Sequence, residues 1–218
     1  MDWSEFVAAY AVFFLSHMIP VRPPVRPWVQ ARLGRTGFTL AYSVLSLLVL
    51  AWLIEAAGRA PFVVLWDRAP WQGYVPLIVM GLVSATLALA IARPNPFSFG
   101  GARNGRFDPL RPGIVRWARH PLLLALALWA ASHVVPNGDL AHVILFGTFA
   151  GFAAFGGRLI DRRKQREMGA QWEGLRAEVA RAPRLLSLGS PWRLLAAALL
   201  YAVLIWLHPV LIGVSPLP

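Results

Sequence analysis

Six apolar runs, each close to the length of one membrane crossing, alternate with polar stretches of very unequal character along this 218-residue chain. They occupy residues 3–20, 38–57, 73–92, 119–135, 140–160 and 194–214. A helix of about 20 apolar residues spans the hydrocarbon core of a bilayer, and backbone in lipid must satisfy its hydrogen bonds internally, which helices do. The pattern predicts an all-α fold: a polytopic bundle of six transmembrane helices forming a single membrane domain over residues 1–218.

Charge turns this pattern into a topology. Taken in order, and counting Arg119 and Arg158 at the edges of the neighbouring runs with them, the five polar stretches hold four, two, six, zero and nine Lys or Arg. Short cytoplasmic loops retain basic residues and exported loops lose them, so the first, third and fifth stretches are expected on the cytoplasmic side and both termini on the periplasmic side. The net charge of +11 is then accounted for by membrane orientation, and no nucleic-acid partner is needed. With 57% hydrophobic and 14% charged residues, the composition lies far from that of a soluble domain. Cysteine is absent, which excludes disulfides, iron–sulfur ligation and a thiolate nucleophile. The first run is preceded by Asp2, carries Glu5 and has no small-residue cleavage site, so it reads as a retained span.

The polar stretches add detail. Pro23, Pro24 and Pro27 stiffen the first and disfavour helix there. Pro136, Asn137, Gly138 and Asp139 make a tight connection, so the fourth and fifth runs form a helical hairpin. In residues 161–182, Met168, Trp172, Leu175 and Val179 recur at helical spacing with Arg and Glu on the other faces. This is an amphipathic cytoplasmic-side helix before the last span. It either lies in the headgroup region or packs on the bundle.

Candidate chemistry centres on histidine, because ionisable groups at membrane depth need a partner. His208 and His142 read as residues bonded to neighbouring backbone or placed at headgroups. His17 lies about three residues from the cytoplasmic end of the first run, and His120 opens the fourth from the same side. Two imidazoles from different helices can hold a haem iron on both axial faces, or form part of a metal site. His133 stands 13 residues beyond His120, about 20 Å along a helix, too far to reach the same atom. Pro121 at a helix start makes Arg119 and His120 a basic entrance suited to a carboxylate, a phosphate or a haem propionate, although positive-inside anchoring explains the arginine equally well. Glu55, Asp139 and Asp161 are too dispersed in sequence to pair with one another, and no constellation supports hydrolysis.

LSHMIP around His17, the following RPPVRPWVQARLG, YSVLSL at Tyr42 to Leu47, RHP at Arg119 to Pro121 and ASHVVPNGDL ending at Leu140 together resemble the NnrU family. The likeness covers roughly residues 5–190. It implies a bacterial inner-membrane protein associated with nitrite and nitric oxide metabolism in denitrifying bacteria. The family is similar in turn to 15-cis-zeta-carotene isomerase, which binds haem b through histidines. Carried over, those ligands fall on His17, His120 and His133, with His17 and His133 as the axial pair. Predicted depth instead pairs His17 with His120, and both pairings stand open here. Arg119 and Arg26 are implied as partners of haem propionates. A further isomerase histidine, expected near Gly58, has no counterpart.

A second likeness is to the isoprenylcysteine carboxyl methyltransferases, which bind S-adenosylmethionine with an RHP-x-Y-x-G segment and a later carboxylate-bearing helix. Arg119, His120 and Pro121 are kept, while Leu123 and Ala125 replace the tyrosine and glycine. Asp161, Met168, Gly169, Trp172, Ala182, Pro183 and Arg184 echo the second half. The implied alternative is S-adenosylmethionine-dependent methyl transfer to a lipophilic substrate from the bilayer. A haem isomerase-like activity, or a non-catalytic membrane partner of a denitrification enzyme, completes the set.

Overall fold

A computed structural model describes residues 2–184 and 191–217. Among them are seven α-helices: α1 (Ser4–Met18), α2 (Val25–Arg59), α3 (Tyr74–Ala90), α4 (Pro121–Val134), α5 (Leu140–Met168), α6 (Ala170–Arg181) and α7 (Pro191–Ile212). The fold is all-α. Four of its helical segments are long and apolar enough to cross a membrane: α2, α3 with the single turn before it, α5 and α7. The other two predicted spans are the shorter apolar helices α1 and α4. At 15 and 14 residues they rise only about 22 and 21 Å, short of a hydrocarbon core of about 30 Å.

The chain divides into two compact units, Met1–Trp66 with Asp139–Leu145, and Asp67–Gly138 with Phe146–Pro218. In the first, α1 packs on α2, burying Phe6 and Ala9 of one and Val49, Leu53, Ala56 and Ala57 of the other. Glu5 would be costly on an apolar helix. It accepts from Trp52 Nε1 at 3.1 Å and from Arg59, which also pairs with Glu55. The start of α5 is tied to the extended segment after α2: Leu140 N donates to Val63 O at 2.9 Å, and Tyr10 OH donates to Ile144 O at 3.1 Å.

The first polar stretch departs from expectation, because α2 begins at Val25 within it. Pro24 is the N-cap and Pro27 falls in the first turn. Proline is tolerated there because first-turn N–H groups have no intrahelical acceptor to lose. The helix then breaks at Gly34 (φ 69°, ψ 175°) before the apolar run.

In the second unit, α3 packs on both α4 and α7, and Tyr201 OH donates to Leu77 O at 2.7 Å. The connection from α3 to α4 is folded around buried Asn95 and Phe97. Asn95 N donates to Asn104 Oδ1, Asn95 Nδ2 donates to Arg119 O, and Phe97 N donates to Asn95 Oδ1. Between α5 and α6 the helix is interrupted at Gly169, where φ is 57°. The amphipathic face predicted from Met168, Trp172, Leu175 and Val179 is covered by protein: Trp172, 2% exposed, and Val179 pack with Phe97 and Val115. Of the two placements open in the sequence, the structure adopts the packed one. Elsewhere, Leu40, Leu47 and Leu48 of α2 and Leu195, Leu199, Trp206 and Val210 of α7 are exposed, apolar surface of the kind that lipid covers.

Candidate functional site

His120 is the N-cap of α4 and Pro121 its first residue, so proline fixes where the helix starts and therefore where Arg119 and His120 stand. Both reach Asp161 on α5. Arg119 Nη2 donates to Asp161 Oδ2 at 2.7 Å, and His120 Nε2 lies 2.9 Å from Asp161 Oδ1. The other ring nitrogen, Nδ1, lies 3.0 Å from Ser98 Oγ. An ionised carboxylate only accepts, so Nε2 carries a proton toward Asp161, and both nitrogens of His120 are engaged. One turn before Asp161, Gly157 makes room for the ring: a Cβ there would meet His120 Cδ2 at 3.0 Å. Gly157 and Asp161 lie four residues apart on one helix face, so the same face seats the imidazole and binds it.

Beside this cluster, a cavity of about 190 Å³ is lined by Phe97, Val115, Arg116, Arg119, Arg176, Val179 and Ala180. Its polar lining is wholly basic. The Arg119 and Arg176 guanidinium carbons lie 5.8 and 5.3 Å from the centre of the Trp172 ring, within cation–π range. Arg116 Nε donates to Ala182 O at 2.9 Å, which ties the end of α6 to the rim. The lining combines three arginines with Phe97, Val115, Val179 and Ala180, so its chemistry suits a small anion with an apolar substituent.

His17 and His133 are prepared quite differently from His120, and identically to each other. His17 Nδ1 lies 2.7 Å from Phe13 O, and His133 Nδ1 lies 2.7 Å from Trp129 O, each on the carbonyl four residues back. The preceding serines repeat the pattern: Ser16 Oγ donates to Phe13 O and Ser132 Oγ to Trp129 O, both at 2.9 Å. A carbonyl only accepts, so Nδ1 carries the proton in both rings and Nε2 carries the lone pair. This is how a metal-ligating histidine is usually oriented, with its second nitrogen fixed on a carbonyl. The rings are further held by aromatics, His17 by Phe13 and Tyr42, His133 by Trp129 and Phe146. An eight-residue echo, FFLSHMIP and WAASHVVP, carries the shared geometry.

The remaining predicted residues have local roles. His17 and Arg26 belong to the first unit, and His120, His133 and Arg119 to the second. Arg26 stands 5.9 Å from the centre of the Phe38 ring. His142 Nδ1 lies 2.8 Å from Asp139 Oδ2, and its backbone N donates to Asp139 Oδ1, so this pair closes the start of α5. His208 Nδ1 pairs with Val214 O at 2.7 Å. Sequence reasoning missed Asp161 and Ser98 as the partners of His120. The available signal was the hairpin, which runs antiparallel and brings the start of the fourth run toward the far end of the fifth, where Asp161 follows the last apolar residues. Among the described residues no cluster of three or more His, Cys, Asp or Glu could hold a metal ion.

Length, hydropathy and the outward apolar faces define a multi-pass α-helical membrane protein. Compared with known families, residues 5–216 match the NnrU protein family. The chain belongs to that family, whose match runs over nearly its whole length. No curated protein and no solved structure matches it.

Proposed function

We propose that this NnrU family protein binds haem b through histidine, with His17 and His133 each a candidate ligand within its own unit, and supports nitrite and nitric oxide metabolism from the bacterial inner membrane. The observation that carries the reading is the shared preparation of the two imidazoles, each with Nδ1 at 2.7 Å from a helix carbonyl and an Nε2 lone pair left for iron. Each ring therefore presents an imidazole donor of the kind that ligates haem iron. His120 fits less well, because Asp161 and Ser98 occupy both of its nitrogens. Arg26 is the proposed partner for a propionate, whereas the Arg119 guanidinium is held by Asp161. Bound haem supplies one-electron redox and diatomic-gas chemistry. The chain supplies fixed ring orientation, a defined tautomer and aromatic walls. The alternation of basic stretches supports six crossings with both termini periplasmic.

The test is direct: the protein is expressed with haem supplied, purified in detergent, and its visible spectrum recorded. A Soret band with near-stoichiometric haem is expected, and its absence would count against the reading.

One observation favours a second reading. Residues that carry the methyltransferase likeness converge in the second unit, where His120 meets Asp161, Arg119 overlies Trp172, and Arg116 holds Ala182. The cavity there, about 190 Å³, is smaller than the roughly 300–1,000 Å³ of typical small-molecule sites. That size argues against a whole nucleoside cofactor. Heat released on titrating S-adenosylmethionine into the detergent-purified protein would reinstate it.

A further inference from the structure

The C-terminal end of α3 gathers two arginines with no acidic partner among the described residues. Arg193, near the start of α7, donates from Nη1 to Ala88 O at 2.5 Å and to Ile91 O at 3.0 Å. It thereby satisfies carbonyls that the last turn of α3 leaves open. Arg93 follows α3 by three residues and packs its guanidinium against Gly113. A Cβ at Gly113 would meet Arg93 Nη1, Cζ and Nη2 at 2.6, 2.7 and 2.9 Å. Gly113 also has φ 61°, so glycine alone both adopts this backbone and admits the guanidinium.

Arg93 Nη1 is buried and has no hydrogen-bond partner among the described residues. Neither arginine joins an ion pair among the described residues, and residues 185–190, which precede α7, contain no Asp or Glu. Burial, and then the charge of Arg193, hold the Arg93 guanidinium below its ordinary value. A charged donor buried without an acceptor is costly, and a second cation nearby adds to the cost. What the polypeptide omits here is an anion. The surroundings say where such an anion would come from: Ile91 and Trp192 are exposed, Arg193 overlies the Trp192 ring at 4.8 Å, and both helices are apolar spans. Tryptophan and arginine at the end of apolar spans mark the headgroup level, and basic pockets between membrane helices take anionic headgroups.

We propose that Arg93 and Arg193 form a phosphate-binding site at the membrane surface, filled by the headgroup phosphate of an anionic phospholipid. Arg93, seated by Gly113, offers the positive charge of its guanidinium. Arg193, fixed by its bonds to α3, offers its remaining guanidinium N–H groups. Choline lipids are weaker ligands because their own ammonium compensates the phosphate.

The site is tested with the full chain in nanodiscs of phosphatidylcholine alone or mixed with phosphatidylglycerol, and in detergent with inorganic phosphate against chloride at matched ionic strength. Thermal unfolding and native mass spectrometry are the readouts. Wild type is expected to gain thermal stability from phosphatidylglycerol and to retain that lipid in the mass spectrometer about tenfold over phosphatidylcholine, as one charge-assisted contact allows. Arg93→Gln and Arg193→Gln should each lose both gains. In phosphatidylcholine alone Arg93→Gln should be no less stable than wild type, because it removes an unpaired buried charge. Stabilisation by inorganic phosphate equal to that by phosphatidylglycerol, and lost in both variants, would keep the phosphate site and assign it to a free ion. An equal phosphatidylglycerol gain in wild type and both variants, with no phosphate effect, would overturn it. If the variants fail to fold, equal retention of the two lipids by wild type overturns it alone.

Discussion

The two ends of α4 carry two histidines in opposite states. At the start, His120 spends both nitrogens on side chains, one on Asp161 and one on Ser98. Near the end, His133 spends one nitrogen on its own helix, at Trp129 O, among aromatic rings. The first histidine is a latch between two helices, since it gives up its lone pair to hold tertiary structure. The second is oriented without being used up, and His17 reproduces its arrangement in the other unit. One helix therefore presents one histidine with both nitrogens bonded to side chains and one bonded through Nδ1 to its own backbone.

The comparison breaks most sharply at the prepared pair. His17→Ala and His133→Ala should each reduce haem retention at least about tenfold, the effect expected of a lost metal ligand, as read by absorbance per chain after purification. His120→Gln should keep its haem. Loss of haem from His120→Gln alone would reverse the roles assigned to the two ends of α4.

The latch should show itself in stability instead. Asp161→Asn leaves Arg119 and His120 without their carboxylate. The pair is only partly buried, with Arg119 36% and Asp161 20% exposed. The cost is therefore placed at about 2 kcal/mol, below that for a fully buried pair, and is measured by thermal unfolding in detergent. A smaller effect is expected from Gly157→Ala, whose Cβ would press on His120 Cδ2 at 3.0 Å. Displacing the ring should cost about 1 kcal/mol and lower stability without lowering haem content.

Much of this was legible in the chain. Each apolar run overlies one α-helix, four of them in segments long enough to cross a membrane, Pro121 marked the start of α4, and helical spacing exposed the apolar face of α6, because these depend on local physics alone. Two features depended on what lay outside the local pattern. Residues 25–33 read as loop from three prolines, yet Pro24 and Pro27 sit where a helix tolerates them, a matter of register within one turn. Asp161 looked isolated because its partners are 41 and 42 residues away, and only the packed α4–α5 hairpin brings them together. The likeness of FFLSHMIP to WAASHVVP was present in the sequence as well. It acquired meaning once both rings were seen to make the same bond.

The most direct test of the account is the protonation of the histidine rings themselves, read by nitrogen NMR on ¹⁵N-histidine-labelled, haem-free protein in detergent, with single-histidine replacements for assignment. His17 and His133 are expected to show protonated Nδ1 and unprotonated Nε2, both of which change on haem addition while His120 does not. A proton on Nε2 of either ring, or a haem response confined to His120, would contradict it.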